Sequence, residues 1–335
     1  MPELPEVEVI RLGLQNKIIG LKIQKIQILS PKSFIGNPNL AQGQKVLKVW
    51  RRAKLLGIDL AEGTGYSGQG TVKKVSKLKP VTSNLITLLF HMKMSGQLIW
   101  EGGRQQATGD NKFIGGHPTE DMLGKMPNSH TRVIFTLQSL ESSGKSLGKK
   151  YEKSRLSTLA TSHLYFNDQR KFGWVKVVDR QQVTVDSSIK NLGPEPLEKG
   201  FTWQVLKQNL LKHKKMPVKV AIMDQSVVSG VGNIYSNEAC FMAGIDPRTK
   251  VVTLTDRKFQ ALHRGVVRAL REGIKHGGST RAHFVDAEGH KGYFLDYAFV
   301  YWRDKHPCKV CGTEIKKISL GGRGTYLCPH CQKAV

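Results

Sequence analysis

Leu192-Gly193-Pro194-Glu195-Pro196-Leu197 is the stretch on which the fold turns. Two prolines in three residues cannot sit in regular structure, because each fixes φ and removes a backbone donor. The hydrophobic pattern changes there. On the N-terminal side, short segments alternate or run apolar over strand-like lengths; on the C-terminal side, apolar residues recur at steps of three and four. The stretch reads as a linker between a β domain, residues 1–191, and a helical domain that starts at residue 192.

Working back from the linker, strands are predicted over 22–28, 46–60, 85–92, 97–100, 132–137, 163–166 and 174–178. Short strands separated by Gly, Asn and Asp imply an antiparallel sandwich or barrel. An opening helix over 3–18 presents Val7, Ile10, Leu14 and Ile18 on one face and stops at Gly20. Three stretches, near 61–80, 101–129 and 139–161, carry Gly, Ser, Lys, Pro, Asn and Asp without clear periodicity and read as surface insertions.

Working forward, Trp203, Leu206 and Leu210 mark one helix, 218–224 a second, and 234–243 a third entered through Gly230-Val231-Gly232-Asn233. Phe259, Leu262, Val266, Leu270 and Ile274 stripe a long fourth helix that Gly277-Gly278 closes. Residues 279–298 form a loop rich in aromatics, and a tail begins at 299. The fold class is α+β, with a β-sandwich, a helical domain and a small C-terminal module.

The tail holds four of the five cysteines, as Cys308-x-x-Cys311 and, sixteen residues on, Cys328-x-x-Cys331. Two such knuckles supply four thiolates for a tetrahedral Zn²⁺, and a closed shell of four leaves no water to activate. One structural zinc ion per chain is expected. Between the knuckles lies a hairpin carrying Arg323 among glycines; it either reaches a phosphate or is a free surface arginine. Cys240, in an apolar helical setting, reads as a packed core thiol.

Charge narrows the partners. Lys and Arg number 52 against 26 Asp and Glu, a net charge of +26. That balance implies a polyanion, above all nucleic acid. No apolar run reaches the ~20 residues of a membrane helix, and no signal peptide precedes the charged start. A cytosolic protein is expected. The turn 230–234 aims backbone N–H groups at an anion, and with Lys212, Lys214, Lys215 and Lys219 nearby a phosphate is the favoured guest. The stretches His91-Met92-Lys93-Met94-Ser95-Gly96 and 167–173 each set a long or aromatic side chain beside a polar turn. Such side chains wedge into base steps, or they simply tuck into a core.

The chain opens Met1-Pro2-Glu3-Leu4-Pro5-Glu6. The small residue after Met1 favours its removal, which leaves Pro2 with a free secondary amine. An α-amino group titrates near neutrality. Attack on an aldehyde-like carbon would give an iminium with no N–H proton to lose, a permanent electron sink. Glu3 stands beside it for acid/base work. The plain alternative is a helix start, with proline in the first turn and carboxylates at the positive dipole end.

Taken together and in order, these motifs resemble the bacterial formamidopyrimidine-DNA glycosylases. The resemblance rests on Pro-Glu-Leu-Pro-Glu at 2–6, Arg-Arg-Ala-Lys at 51–54, Met-Ser-Gly at 94–96, Asn-Asp-x-Arg-x-Phe-Gly at 167–173, the 192–197 linker and Met-Asp-Gln at 223–225. It continues through Gly-Val-Gly-Asn-Ile-Tyr at 230–235, Gly-Gly-Ser-Thr at 277–280, Gly-Tyr-Phe at 292–294 and the four cysteines. Only the three insertions lack a counterpart.

What the resemblance implies is a bifunctional glycosylase and AP lyase of base excision repair, acting on oxidised purines (8-oxoguanine, formamidopyrimidines) in damaged double-stranded DNA. It implies an N-terminal β-sandwich, a helical domain with a helix–two-turns–helix element over 192–298, and a zinc finger over 299–335. By position, Pro2 is then the nucleophile and Glu3 its acid/base partner. Lys54 and Arg323 donate protons in β- and δ-elimination. His91, His130, Arg170, Lys214, Lys219 and Asn233 contact DNA; Met94, Arg170 and Phe172 fill the hole left by the flipped base; a lid spans 280–294. A monomer in the bacterial cytoplasm, held at the nucleoid by DNA, is expected. The sister endonuclease VIII branch, for oxidised pyrimidines, typically begins Pro-Glu-Gly, and Leu4 argues against it. A non-catalytic zinc protein that binds DNA is the other alternative. One departure stands out: where the family commonly has Asp-Pro-Arg-Arg-Phe-Gly, this chain has Asp168-Gln169-Arg170-Lys171-Phe172-Gly173, which leaves the opposite-base preference open.

Overall fold

The computed structural model describes residues 2–61, 85–102, 112–116, 124–139, 160–279 and 294–333. Helix α1 (Leu4–Ile18) opens the chain, and Gly20 leaves it with φ +90°. Among the described residues ten strands follow: β1 (Lys22–Ile28), β2 (Phe34–Ile35), β3 (Lys45–Arg52), β4 (Leu55–Ala61), β5 (Ile86–His91), β6 (Gly96–Glu101), β7 (Lys112–Gly116), β8 (Thr131–Gln138), β9 (Thr161–Asp168) and β10 (Trp174–Asp179).

They form one ladder in the order β2-β10-β5-β4-β3-β1-β8-β9-β6-β7, antiparallel except for β2 against β10. At its centre β1 and β3 share a single pair, Lys22 with Lys45. There the ladder folds into two five-stranded layers. Phe90 of β5 meets Phe135 of β8 (ring centroids 5.7 Å) and Phe166 of β9 (6.3 Å) across the interior. The inward residues of both layers and one face of α1 make a single core, as the alternation along the strands predicts.

Two of the sequence expectations are corrected here. The stretch near 101–129 is not wholly an insertion, because β7 lies within it, paired to β6 and packed on α1. Its sequence, Lys-Phe-Ile-Gly-Gly, is too short and too glycine-rich to show alternation. The glycines are there for contact: Gly115 leaves room for Ile10, and Phe113 fills the space over Gly13. The second helix of the C-terminal half is also shorter than predicted. The expected lid over 280–294 lies outside the described residues apart from Phe294 at its end. The other two insertions lie almost wholly outside them.

The helical half contains α2 (Trp203–Leu210), α3 (Val218–Ala221), α4 (Asn233–Met242), α5 (Asp256–Lys275) and α6 (Phe294–Tyr297). Its core gathers Leu206, Leu210, Val231, Tyr235, Phe259, Leu262, Val266 and Leu270. Leu4, from the first turn of α1, belongs to this core, whereas Val7 onward belongs to the sandwich. The chain start is thereby pinned at the seam between the two halves.

A hairpin of β11 (Lys316–Leu320) and β12 (Arg323–Leu327) closes the chain. It docks on α4: Asn237 Oδ1 accepts from the Tyr326 N–H at 2.7 Å, and buried Glu238 accepts from the N–H groups of Phe299, Val300 and Tyr301. Cys240 is fully buried in the helical core, as expected, and burial pushes its thiol up to about 12. Among the described residues no helix is long and apolar enough to cross a membrane.

Candidate active site

Glu3 is where the two halves meet. It caps α1, and its own N–H donates to Glu6 Oε2 at 2.7 Å, one limb of a capping box. Its side chain crosses to the first turn of α4. One carboxylate oxygen accepts from Gly232 N (2.7 Å) and Tyr235 N (3.4 Å), the other from Ile234 N (2.8 Å). The turn at 230–234 therefore does grip an anion, as its sequence implies, but the anion is Glu3 and not a phosphate. Gly232 has to be glycine here, since a Cβ would run into the Glu3 carboxyl. Gly230, at φ +86°, accepts the Leu4 N–H at 3.0 Å and completes the dock.

Burial sets the chemistry of this carboxyl. Glu3 is 2% exposed, and loss of solvation raises it from the usual carboxylate range to about 7, with Glu6 adding to the rise. Lys54 and the α4 N–H groups pull the other way and are outweighed. Lys54 is buried too, and its Nζ donates to the Val231 carbonyl at 2.9 Å. Burial pulls its ammonium below the usual lysine value, against the attraction of Glu3 and Glu6. Pro2, next to Glu3 in the chain, is buried as well. A protonatable carboxyl and a depressed lysine thus flank the chain start, where a proton can be both given and taken.

Lys54 sits in the tight turn between β3 and β4, where Ala53 has φ +54°. Glu195, from the interdomain linker, clamps that turn. It accepts from Arg51 Nη1 (3.0 Å) and Nη2 (2.9 Å), from Arg52 Nη1 (3.0 Å) and from the Ala53 N–H. Beside the turn opens a cleft lined by Ala53, Lys54, His91, Lys93 and Gln225. His91 is held neutral, pushed down to about 3 by burial and by Lys93 and Lys54, and its Nδ1 accepts the Lys93 N–H at 3.0 Å.

Met94 stands in the β5–β6 turn and Phe172 in the loop after β9. The two turns are tied together. Ser95 Oγ donates to Asp168 Oδ1 at 2.5 Å and accepts from Arg170 N at 3.0 Å, while Gly173 N donates to Asp168 Oδ2. Arg132 Nε anchors the same corner through the Asp168 carbonyl at 2.8 Å. The result is a presented loop: Phe172 is 62% exposed, Arg170 is exposed, and Lys171 takes φ +58°. His130 is half-buried at the edge of this corner, its carbonyl accepting the Asp168 N–H. The alternative of a core Phe is excluded by this exposure.

On the helical side Lys214 is exposed. Lys219 is not: its side chain is fully buried and its Nζ donates to Asn233 Oδ1 at 2.5 Å. Asn233 Nδ2 in turn donates to the Gly324 carbonyl at 3.1 Å. Its ammonium fixes Asn233, and Asn233 fixes the hairpin that presents Arg323. Arg323 itself is exposed at the hairpin tip; burial lowers the Lys219 ammonium to about 8, and the charge of Arg323 adds to that.

The four cysteine Sγ atoms all lie within 4.8 Å of one another, Cys311 being 3.4 Å from Cys328 and from Cys331. Tetrahedral thiolates at the usual Zn–S distance stand about 3.8 Å apart, so this set fits one structural zinc ion. His306 and His330 are exposed and outside the cluster.

Comparison with known proteins agrees with this geometry. Residues 1–175 match the formamidopyrimidine-DNA glycosylase N-terminal domain, and residues 192–284 match the H2TH domain of the same enzymes. The chain belongs to the formamidopyrimidine-DNA glycosylase family. Residues 305–334 match the zinc finger found in FPG and IleRS. The formamidopyrimidine-DNA glycosylase of Pelotomaculum thermopropionicum is 34% identical over 99% of both chains. That of Pseudoalteromonas atlantica is 34% identical over 99% of this chain and all of its own. Among solved structures, MutM (FPG) of Thermus thermophilus superposes with a TM-score of 0.71 at 28% identity over the full length of both chains. A Lactococcus lactis FPG mutant in complex with Fapy-dG-containing DNA superposes at 0.71 with 26% identity, over 99% of this chain and all of its own.

Within this formamidopyrimidine-DNA glycosylase family member, three supporting residues escaped the reading of the sequence. Glu195 looked like part of a linker; a lone carboxylate between prolines, in a chain with Arg51-Arg52, was the available sign. Ser95 looked like a turn residue, with nothing local to pair it with Asp168. Gln225 accepts the Gly230 N–H at 2.9 Å and donates to the Val231 carbonyl at 2.7 Å, which only the fold reveals.

Proposed function

We propose that this chain excises oxidised purines from duplex DNA and then cleaves the strand, using Pro2 as nucleophile. The observation that carries the reading is the Glu3 carboxyl, buried beside Pro2, cradled by the first turn of α4 and raised to about 7. At neutral pH such a group is partly protonated and can donate to the sugar as the glycosidic bond breaks.

The Pro2 nitrogen, freed by removal of Met1, attacks C1′; the C1′–N bond to the base breaks and the base leaves with a proton. The resulting iminium acidifies the C2′ proton. Its loss expels the 3′ phosphate, and a second elimination expels the 5′ phosphate. Lys54, against the Val231 carbonyl and across from Glu3, serves the first elimination; Arg323, at the hairpin tip, serves the second. Met94, Arg170 and Phe172 enter the duplex from their braced corner and fill the space of the extruded base. His91, His130, Lys214 and Asn233 line the approach, with Lys219 supporting Asn233. Domain limits at 191/192 and 298/299 follow the change of core. The protein works as a monomer in the bacterial cytoplasm, and its zinc has no part in the chemistry.

Borohydride reduction on a duplex carrying 8-oxoguanine tests this. The expected result is a covalent protein–DNA adduct that disappears in Pro2→Gly. No adduct with any oxidised base would leave a DNA-binding protein without the lyase, and adducts confined to oxidised pyrimidines would move the chain to the endonuclease VIII branch.

A further inference from the structure

The longest helix carries a second cationic surface, away from the site. α5 sends Phe259, Leu262, Val266 and Leu270 into the helical core. Gly265 lies against the Ala239 carbonyl and Gly273 against the Tyr235 ring, so this buried side is the one that faces α4. Arg257, Arg264, Arg268, Arg271 and Lys275 are all exposed. At 3.6 residues per turn these five fall within an arc of about 60°, centred roughly 180° from the buried stripe. They therefore point away from the end of the molecule where α4 holds Glu3.

No carboxylate shares that arc. Asp256 is turned to Lys207 (2.5 Å) and Glu272 to His276 (3.4 Å). Among the described residues none of the five cations has an ion-pair partner. The arrangement weakens the helix by itself, because Arg264 and Arg268, Arg268 and Arg271, and Arg271 and Lys275 are like charges at three- and four-residue spacing. The helix dipole accounts only for Lys275, in the last turn. Arg257 stands at the unfavourable end, and Arg264 and Arg268 are in mid-helix.

We propose that this face of α5 is a docking surface for the sugar-phosphate backbone of a second duplex segment, distinct from the one at Pro2. From Arg257 to Lys275 the helix rises about 27 Å, a straight cationic rail. Duplex DNA carries a charge about every 1.7 Å of axis, so it offers acceptors along the whole rail. Four of the five cations are arginines, which pair with phosphate by a planar fork. The inference rests on the reading that duplex DNA is the substrate; an acidic protein segment is the competing occupant. Two such surfaces let the protein hold one segment while it engages the next, so that transfer needs no full release.

The test uses the full-length protein with a short lesion duplex and a second, lesion-free duplex bearing a different fluorophore. The variant is R264Q/R268Q/R271Q, in which glutamine keeps helix propensity, with R268Q alone as the milder form. Energy transfer reports bridging of the two duplexes, and single-turnover excision reports the Pro2 site. The unaltered protein should bridge. In the triple variant bridging should fall about tenfold or more, and the log–log salt slope of second-duplex binding should drop by about 2.7, from three lost phosphate contacts. R268Q should fall in between, and excision should stay unchanged in both. Bridging that survives in the triple variant, or an unaltered protein that excises but does not bridge, overturns the proposal. So does a polyglutamate probe whose binding needs these arginines while bridging does not. Bridging without excision would support the α5 surface while overturning the glycosylase reading.

Discussion

At the scale of single residues, the informative group is Glu3, because one environment sets both its chemistry and its cost. Its pKa is raised from 4.5 to about 7, so the folded state holds the proton more tightly than the unfolded chain does. The stability it contributes is present in full below about pH 4.5 and is lost as pH rises through about 7. A shift of this size corresponds to roughly 3 kcal/mol. In Glu3→Gln that pH-dependent part should vanish, so the stability difference between variant and parent, followed by urea unfolding from pH 4 to 8, should slope by about that amount. A flat difference would mean that Glu3 titrates at its ordinary value. Excision should fall as pH rises above 7 in the parent and be lost at every pH in Glu3→Gln, with DNA binding retained. A variant that excises normally would remove Glu3 from the mechanism. Lys219, which the resemblance places at DNA, is buried and holds Asn233, a contact that residue type alone does not reveal.

Elements explain how those residues are aimed, and here the sequence was partly legible. The periodicity of α1 and α5, the β-to-helix change at 192 and the cysteine knuckles are local signals, and each is read within one segment. β7 was not legible, because five residues with two glycines carry no period, and neither was the guest of the 230–234 turn, which arrives from 229 residues away. The clamp of Glu195 on the β3–β4 turn is of the same long-range kind. Its carboxyl is held below the usual range, burial being outweighed by Arg51, the Ala53 N–H and Arg52. Removing one partner leaves buried charge unpaired, which costs about 3–5 kcal/mol. Glu195→Ala should therefore lower the thermal midpoint sharply, whereas Glu195→Gln, which keeps an acceptor for Ala53 N, should cost less. Because the clamp positions Lys54 and does not touch Pro2, Glu195→Gln should slow strand cleavage more than base release. Equal loss in both steps would make the clamp purely structural. The Ser95–Asp168 tie predicts a parallel split: Ser95→Ala should loosen the Phe172 corner and weaken lesion capture, read as a higher KM with kcat less affected.

For the whole molecule, the question is why a closed zinc site belongs in an enzyme whose proposed chemistry at Pro2 needs no metal. Besides the Asn233 bond to Gly324, the finger is joined to the helical half by Glu238 under residues 299–301, by Asn237 under Tyr326, and by Gln332, which takes the Cys328 N–H at 2.8 Å and gives to the Ile245 carbonyl at 3.0 Å. Its own core is small, chiefly Val300, Ile315 and Tyr326 with two of the cysteines, packed against Phe241 of α4. So few apolar residues cannot order a hairpin alone, and metal binding supplies the missing folding free energy. What the zinc holds in place is Arg323, through the hairpin that Asn233 also grips. Its loss should therefore act on one end of the reaction. In Cys308→Ser, zinc content should fall to near zero by metal analysis while the sandwich keeps its far-UV circular dichroism. The Pro2 adduct should still form at high DNA concentration, since Pro2, Glu3 and Lys54 are set by α1, α4 and the β3–β4 turn. DNA affinity should drop, and products should accumulate after the first elimination because Arg323 is no longer presented for the second. Retained zinc would contradict the ligand assignment, and full double elimination without zinc would show that Arg323 is placed by Asn233 and Lys219 alone.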